Sequence, residues 1–187
     1  GYTIFVAEVA STCNEVILFQ HMIRQAGTRE EKESLIFQLL DRFRSVMFRQ
    51  TMFAEFEKIT HEMAEKGEPL TWEGMNKIYH DLNRLYFGDD IVIDEEIDIE
   101  WARIPHFYNA FYVYQYATGY SAAIALSRKI LSEGQPAVDA YLDFLSKGDS
   151  EYSIDLLKGA GVDMSKKDAV ENAMAVFESL LDEMEKF

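Results

Sequence analysis

Cysteine, proline and long apolar runs are scarce in this sequence, and each scarcity limits the structures that the chain can form. The 187-residue chain has one cysteine, Cys13, so it cannot form an internal disulfide, and a reducing, cytoplasmic compartment is expected. No stretch is apolar for long enough to span a bilayer, so we expect no membrane partner. Only three prolines interrupt the sequence, which leaves room for long helices.

Basic residues are also few, and this limits the kinds of partner that the protein can bind. Eighteen Lys and Arg stand against 33 Asp and Glu, which gives a formal charge of −15 at pH 7. A surface that binds phosphates needs clustered Lys and Arg. The charge balance therefore argues against nucleic acid or an anionic membrane as a partner.

The length and the first residues predict a single helical domain, residues 1–187, that is part of a larger protein. A chain of 187 residues is long enough to bury a core. It opens with Gly1 and Tyr2, without an initiator Met or a basic segment, so we expect no signal peptide. Such a start is typical of a fragment or a processed product.

Apolar residues recur with a period of about 3.6 along most of the sequence, which predicts an all-α fold. Thr28 and Glu31 have the spacing of a capping box and open a helix that we expect to end near Gly67. Residues 89–100 alternate isoleucine with acidic residues, and we predict an extended loop because no second strand could pair with them. Helices are predicted at about 4–25, 28–66, 71–87, 105–131, 135–147, 150–159 (from Ser150 or Ser153) and 169–184, the last after a capped start at 165–168.

The first predicted helix carries an unusual polar stripe. It is otherwise apolar on all sides, which predicts a buried helix. Glu8, Ser11, Thr12 and Glu15 share one face because they are spaced i, i+3, i+4, i+7. Two carboxylates in such a helix need a cation. Either an Arg or Lys from another helix or a metal ion could meet this need, and the segment itself does not decide between them.

The segment from Phe5 to Glu15 resembles the helix that follows the HExxH motif in thimet-oligopeptidase-like zinc peptidases, and its wording is most similar to oligoendopeptidase F. In that family the two HExxH histidines bind zinc, and a glutamate on the next helix is the third protein ligand. The resemblance implies that Glu8 is this zinc ligand. It also implies that Glu15 supports the metal site without binding the metal directly.

A second motif, rich in aromatic residues, lies between positions 101 and 119. Four tyrosines fall within nine residues, and each hydroxyl needs a partner if it is buried. Packing is the ordinary explanation for Tyr108, Tyr112 and Tyr116, which are spaced i, i+4, i+8. However, His106 next to phenols would be a reasonable means of stabilising an oxyanion.

Two short sequences in this motif, His-Phe-Tyr and Tyr-Val-Tyr-Gln-Tyr-Ala-Thr-Gly, also resemble oligoendopeptidase F. The resemblance implies that a histidine and a tyrosine bind the substrate and the tetrahedral intermediate. His106 matches the histidine, and the gap-free match puts the tyrosine at Tyr114, with Tyr112 as the neighbouring alternative. The glycine loop is shorter than in thimet oligopeptidase, so the choice of tyrosine stays open.

Taken over most of the chain, the resemblance implies the helical C-terminal part of a zincin-type oligopeptidase that cleaves oligopeptides with Zn²⁺. The chain has no HExxH. The segment that starts at His61 is similar to this motif but has Glu65 in place of the second histidine, and we expect it to be a solvated helix end. We therefore predict that the other zinc ligands come from the N-terminal part of the same polypeptide and that this chain alone is inactive. The alternative is a helical binding or regulatory module without catalysis, which leaves the polar stripe unexplained.

Overall fold

The computed structural model describes residues 3–187 and confirms the all-α prediction. The fold is 78% helix, without a strand in the described part of the chain. Gly1 and Tyr2, on which the expectation about the chain's start rests, lie outside the described residues. None of the described helices is long and apolar enough to cross a membrane.

Eight α-helices form most of the structure. In chain order they are α1 Ile4–Gln25, α2 Arg29–Arg42, α3 Arg49–Glu65, α4 Trp72–Phe87, α5 Tyr114–Glu133, α6 Gln135–Ser146, α7 Ser153–Gly159 and α8 Asp168–Met184. A π-helical turn, Phe43–Phe48, joins α2 to α3, and two 3₁₀ helices, Glu95–Arg103 and Pro105–Tyr108, lie between α4 and α5.

Several helix ends are fixed by the side chains that the sequence indicated. Thr28 accepts a hydrogen bond from the Glu31 amide, and the Glu31 carboxylate accepts one from the Thr28 amide, so the capping box is confirmed. Thr71 caps α4 through the Gly74 amide in the same way. Helix α4 ends at Gly88, whose φ of 79° lies in the left-handed region that glycine adopts easily.

The helix expected from 28 to 66 is confirmed in its bounds, and the π-helical turn Phe43–Phe48 lies within its length, with Phe43 and Met47 buried. Two other predictions nearby are wrong. The loop expected at 89–100 contains the 3₁₀ helix Glu95–Arg103, because winding brings Ile97 and Trp101 against a common core. The side-chain cap expected at 165–168, before the last helix, does not form.

Helix α8 begins after Lys167 without a side-chain cap. The Ser165 hydroxyl instead donates a hydrogen bond to Asp163 at 2.6 Å.

The helix expected from 105 to 131 is also wrong in its first part. The 3₁₀ turn Pro105–Tyr108 is followed by irregular backbone, and α5 begins only at Tyr114. Phe111, within this irregular segment, has a φ of 59°, a left-handed conformation that a right-handed helix does not contain. This break changes which aromatic side chains can meet.

The chain groups into two compact units. The first contains residues up to Met47 together with Thr118–Phe187, and the second contains Phe48–Ala117. The core of the first unit is mainly aliphatic and contains Cys13, whereas the core of the second combines aliphatic side chains with the aromatic rings of Phe53, Phe56 and Tyr79. The single domain predicted for residues 1–187 stays a prediction.

Helix α1 is buried on one side only, contrary to the expectation of a fully buried helix. Val9 and Cys13 are fully buried in the core of the first unit, whereas Ile4 and Leu18 are 48% and 55% exposed. The difference arises because the other helices of the unit pack against one side of α1. The polar stripe is therefore partly accessible in this chain.

Candidate active-site residues

Helix α1 places Glu8 and Glu15 on one face, two turns apart. Glu8 is half-buried, and the Ser11 hydroxyl donates a hydrogen bond to its backbone carbonyl at 3.2 Å. Within residues 3–187 its carboxylate has neither a hydrogen bond nor an ion pair. Glu8 thus offers a free carboxylate at a position that is partly shielded from solvent.

Glu15 has a different environment. Its carboxylate forms an ion pair with the guanidinium of Arg42, the last residue of α2. The two side chains are 45% and 39% exposed, respectively. The ion-pair explanation of the polar stripe therefore applies to Glu15.

Tyr120 of α5 lies near this ion pair and was not among the predicted site residues. It is only 2% exposed, its ring packs edge-on against Phe43 at 5.0 Å, and its hydroxyl has no hydrogen-bond partner in the described part of the chain. Burial raises the pKa of Tyr120 well above its usual range, with Arg42 opposing and Glu15 reinforcing the shift. No local pattern in the sequence predicts that Tyr120 lies near Glu15 and Arg42, because Tyr120 follows the aromatic motif and is distant from α1 along the chain.

His106 and two tyrosines form a three-ring group in the second unit, here called the aromatic triad: His106, Tyr112 and Tyr116. The Tyr112 ring stacks on the His106 ring with centroids 5.7 Å apart and an interplanar angle of 18°. The Tyr116 ring meets both of the other rings edge-on at 5.6 Å. Its hydroxyl lies 3.2 Å from Nε2 of His106, within hydrogen-bond distance.

The triad includes two of the three predicted catalytic residues and one that was missed. His106 and Tyr112 are in contact, whereas the described ring contacts of His106 do not include Tyr114, which is 50% exposed. The sequence spacing places Tyr116 only in a packing ridge. This spacing does not predict the approach of the Tyr116 hydroxyl to His106, because it assumes a continuous helix that the structure interrupts between Tyr108 and Tyr114.

Local backbone geometry explains how the triad forms. Pro105 begins the short 3₁₀ turn that carries His106, and its fixed φ favours that position. The Asn109 amide then donates to the His106 carbonyl at 3.0 Å, and the Tyr112 amide donates to the Asn109 carbonyl at 3.1 Å. These consecutive turns fold the chain back so that Tyr112 reaches His106.

Glu100 is the centre of another charged cluster in the second unit. It is 5% exposed and accepts hydrogen bonds from Tyr79 and Arg49, each at 2.6 Å, and from Arg103. Glu100 and its two arginines line a cavity of about 1020 Å³, together with Asn83. Since both arginines already pair with Glu100, we interpret the cluster as structural.

A complete metal site is absent from the described residues. No group of three or more His, Cys, Asp or Glu side chains in residues 3–187 is arranged to hold a metal ion. Glu8 belongs to the first unit and His106 to the second.

Comparison with known proteins identifies the family. The sequence matches Peptidase family M3 over residues 1–176, and the chain belongs to this family. It is 56% identical to Oligopeptidase PepF of Bacillus subtilis (strain 168), over 100% of the chain and 28% of that protein. It is 44% identical to the chromosomal Oligoendopeptidase F of Lactococcus lactis subsp. cremoris, over 99% of the chain and 31% of that protein.

A solved structure agrees with these matches. The fold superimposes on the crystal structure of oligoendopeptidase-F from Enterococcus faecium with a TM-score of 0.94 and 45% sequence identity, covering 99% of this chain and 36% of that one. The resemblance to oligoendopeptidase F inferred from the sequence is thereby confirmed. The chain spans less than a third of the length of the two curated relatives named above, 28% and 31%.

Proposed function

We propose that the full-length protein is a zinc metalloendopeptidase that hydrolyses oligopeptides, and that this chain supplies part of its active site. Family membership supports a peptidase, and the relatives are described as oligopeptidases or oligoendopeptidases. The observation that carries the proposal is the free, half-buried carboxylate of Glu8 in this family context. Its partners are oligopeptide substrates and the N-terminal part of its own polypeptide, and its compartment is the cytoplasm.

Glu8 fits the role of a zinc ligand. A carboxylate that is partly shielded from water and lacks a cation within residues 3–187 is suited to bind a metal ion. When bound, zinc supplies Lewis-acid chemistry that promotes the attack of water on a peptide carbonyl. The other two protein ligands are expected from an HExxH motif, which this chain lacks, so the isolated chain is expected to be inactive.

Glu15 has the supporting role. Its carboxylate is already engaged by Arg42, which makes it a poorer candidate for direct metal binding than Glu8. A charged neighbour held in place by an ion pair can still orient the groups that bind the metal. We therefore assign Glu15 to the support of the site.

The proposed oxyanion-binding group is the aromatic triad, with Tyr114 outside it as the alternative to Tyr112. His106 and a tyrosine, Tyr112 or Tyr114, would donate hydrogen bonds to the negative charge that develops on the scissile carbonyl oxygen. Contact with His106 favours Tyr112, whereas the gap-free match to the family favours Tyr114. Tyr116, within hydrogen-bond distance of Nε2 of His106, would orient the imidazole.

The test uses the full-length protein with Glu8→Gln, which preserves the shape of the side chain and removes its charge. We expect the zinc content by elemental analysis and the cleavage of an internally quenched oligopeptide to fall together, while the circular dichroism stays unchanged. Glu15→Gln is expected to weaken zinc binding or activity by about 10- to 100-fold, as for groups that support a ligand. Glu30→Gln, at the exposed start of α2, is the matched control.

Normal zinc content and activity in Glu8→Gln would contradict the assignment of Glu8. Stoichiometric zinc, or peptidase activity that a chelator blocks, in the isolated 187-residue chain would contradict its predicted inactivity. A wild-type full-length protein that binds oligopeptides without cleaving them would support the alternative, a helical binding module.

A further inference from the structure

Phe111 has an unusual backbone conformation next to the aromatic triad. Its φ of 59° is the only positive value at a non-glycine position in residues 3–187. Large aromatic residues rarely adopt this conformation, because Cβ then crowds the neighbouring backbone. Strained residues of this kind persist only where the surrounding structure holds them, and they concentrate at functional sites.

Two side chains of α3 hold Phe111. The Glu57 carboxylate accepts a hydrogen bond from the Phe111 amide at 2.8 Å, although the residues are 54 positions apart in sequence. Glu57 is only 4% exposed, and a hydrogen bond from a backbone amide to a buried carboxylate is stronger than one between neutral groups. One turn further along α3, the His61 ring lies 4.6 Å from the Phe111 ring.

The conformation of Phe111 determines where Tyr112 points. The two residues are adjacent in sequence, and the Tyr112 ring stacks on His106 in the aromatic triad. A change of φ at Phe111 would rotate the backbone that leads into Tyr112. The contact between Tyr112 and His106 therefore depends on the hydrogen bond between Phe111 and Glu57.

We propose that Glu57 is a positioning residue of the peptidase, which fixes Phe111 in the left-handed conformation and so places Tyr112 against His106. Its catalytic consequence rests on the proposed function, in which the aromatic triad binds the developing oxyanion. Its structural consequence does not, because it concerns only the backbone at Phe111 and the ring contact. The experiment measures the two consequences separately.

The first measurement is the crystal structure of the full-length Glu57→Leu variant beside that of Glu57→Gln. Leucine cannot accept the Phe111 hydrogen bond, whereas the glutamine side-chain oxygen can. We expect Phe111 to leave the left-handed region and the Tyr112–His106 contact to be lost in Glu57→Leu only. Retention of both features in Glu57→Leu would overturn the proposal, whether or not the protein is a peptidase.

The second measurement is the steady-state kinetics of oligopeptide cleavage by the same variants. We expect kcat to fall by up to about 100-fold in Glu57→Leu, as for catalytic groups displaced by about 1 Å. KM should change little, because the group acts in the transition state. Glu57→Gln should restore kcat close to the wild-type value.

A matched control separates positioning from a general loss of stability. Glu55, also on α3, accepts a hydrogen bond from the Tyr86 hydroxyl at 2.8 Å, whereas the Phe111 amide donates its hydrogen bond to Glu57. Glu55→Leu should lower the thermal midpoint without lowering kcat. An active wild-type enzyme whose kcat is unchanged by Glu57→Leu, or is reduced equally by Glu55→Leu, would overturn the positioning role and leave the proposed function standing.

Discussion

Arg42 pairs with Glu15 and thereby ties the last turn of α2 to the middle of α1. The pair is more than a third exposed on both sides, and exposed ion pairs contribute at most about 1 kcal/mol to stability. The ion pair therefore contributes little to the stability of the fold. The proposed role of Glu15 is to support the metal site.

We accordingly expect Arg42→Gln to weaken zinc binding in the full-length protein while it changes stability little. The midpoint of urea unfolding should move by the equivalent of less than about 1 kcal/mol. The zinc dissociation constant, measured by competition with a chelator, should rise by about 10-fold or more. Arg44→Gln, which removes the surface pair of Arg44 with Asp41, is the control, and equal zinc affinities in the two variants would count against the supporting role.

The features that the sequence predicts well are local ones. The bounds of α1, the capping box at Thr28 and the end of α4 at Gly88 each depend on residues within a few positions of one another. Side-chain caps and glycine conformations operate over this range. For the same reason the pattern predicted an all-α fold correctly without any information on how the helices pack.

The features that it misses depend on distant partners. The left-handed conformation of Phe111 depends on a hydrogen bond to Glu57, which is distant in sequence. Because the local pattern does not show this partner, it predicts one continuous helix after Pro105. The pairing of Glu15 with Arg42 likewise requires that α1 pack against α2. The aromatic triad follows from the break at Phe111, which explains why the sequence pattern predicts only a packing role for Tyr116.

The capping box of α2 offers a test of local stability. Thr28→Ala removes the oxygen that accepts the Glu31 amide, and the loss of such a cap typically costs about 1 kcal/mol. Unfolding in urea, followed by circular dichroism at the helical band, should show this decrease. Ser34→Ala, at an exposed position later in the same helix, should have a smaller effect, and an equally large one would show that the cap is unimportant.

Cys13 should be unreactive in the folded protein. It is fully buried, and burial raises the pKa of its thiol to about 11 although a hydrogen bond with Tyr141 opposes the shift. Because the thiolate is the reactive form, a thiol reagent such as DTNB should react slowly at neutral pH and rapidly after unfolding in urea. The chain has one cysteine, so the absorbance change reports on this residue alone. Rapid stoichiometric reaction without denaturant would contradict the burial of α1 on this side.

Glu100 should make the stability of the protein depend on acid pH. Burial by itself would raise its pKa, but the hydrogen bonds from Tyr79 and Arg49 and the charges of Arg49 and Arg103 outweigh burial and lower the pKa below its usual 4.5. A carboxyl with a lowered pKa in the folded state stabilises that state above the unfolded pKa. This stabilisation is lost as the pH falls through the folded value.

We therefore expect Glu100→Gln to destabilise the protein at neutral pH by about 1.5–3 kcal/mol, the contribution of hydrogen bonds to a charged group. The difference from wild type should shrink as the pH falls below about 4.5, because the wild-type carboxylate then becomes protonated. Urea midpoints measured from neutral pH to about pH 3 test this dependence. Glu68→Gln, at an exposed position, is the control and should follow the wild-type curve throughout. A difference between Glu100→Gln and wild type that stays constant over the whole acid range would show that the charge of Glu100 does not stabilise the second unit.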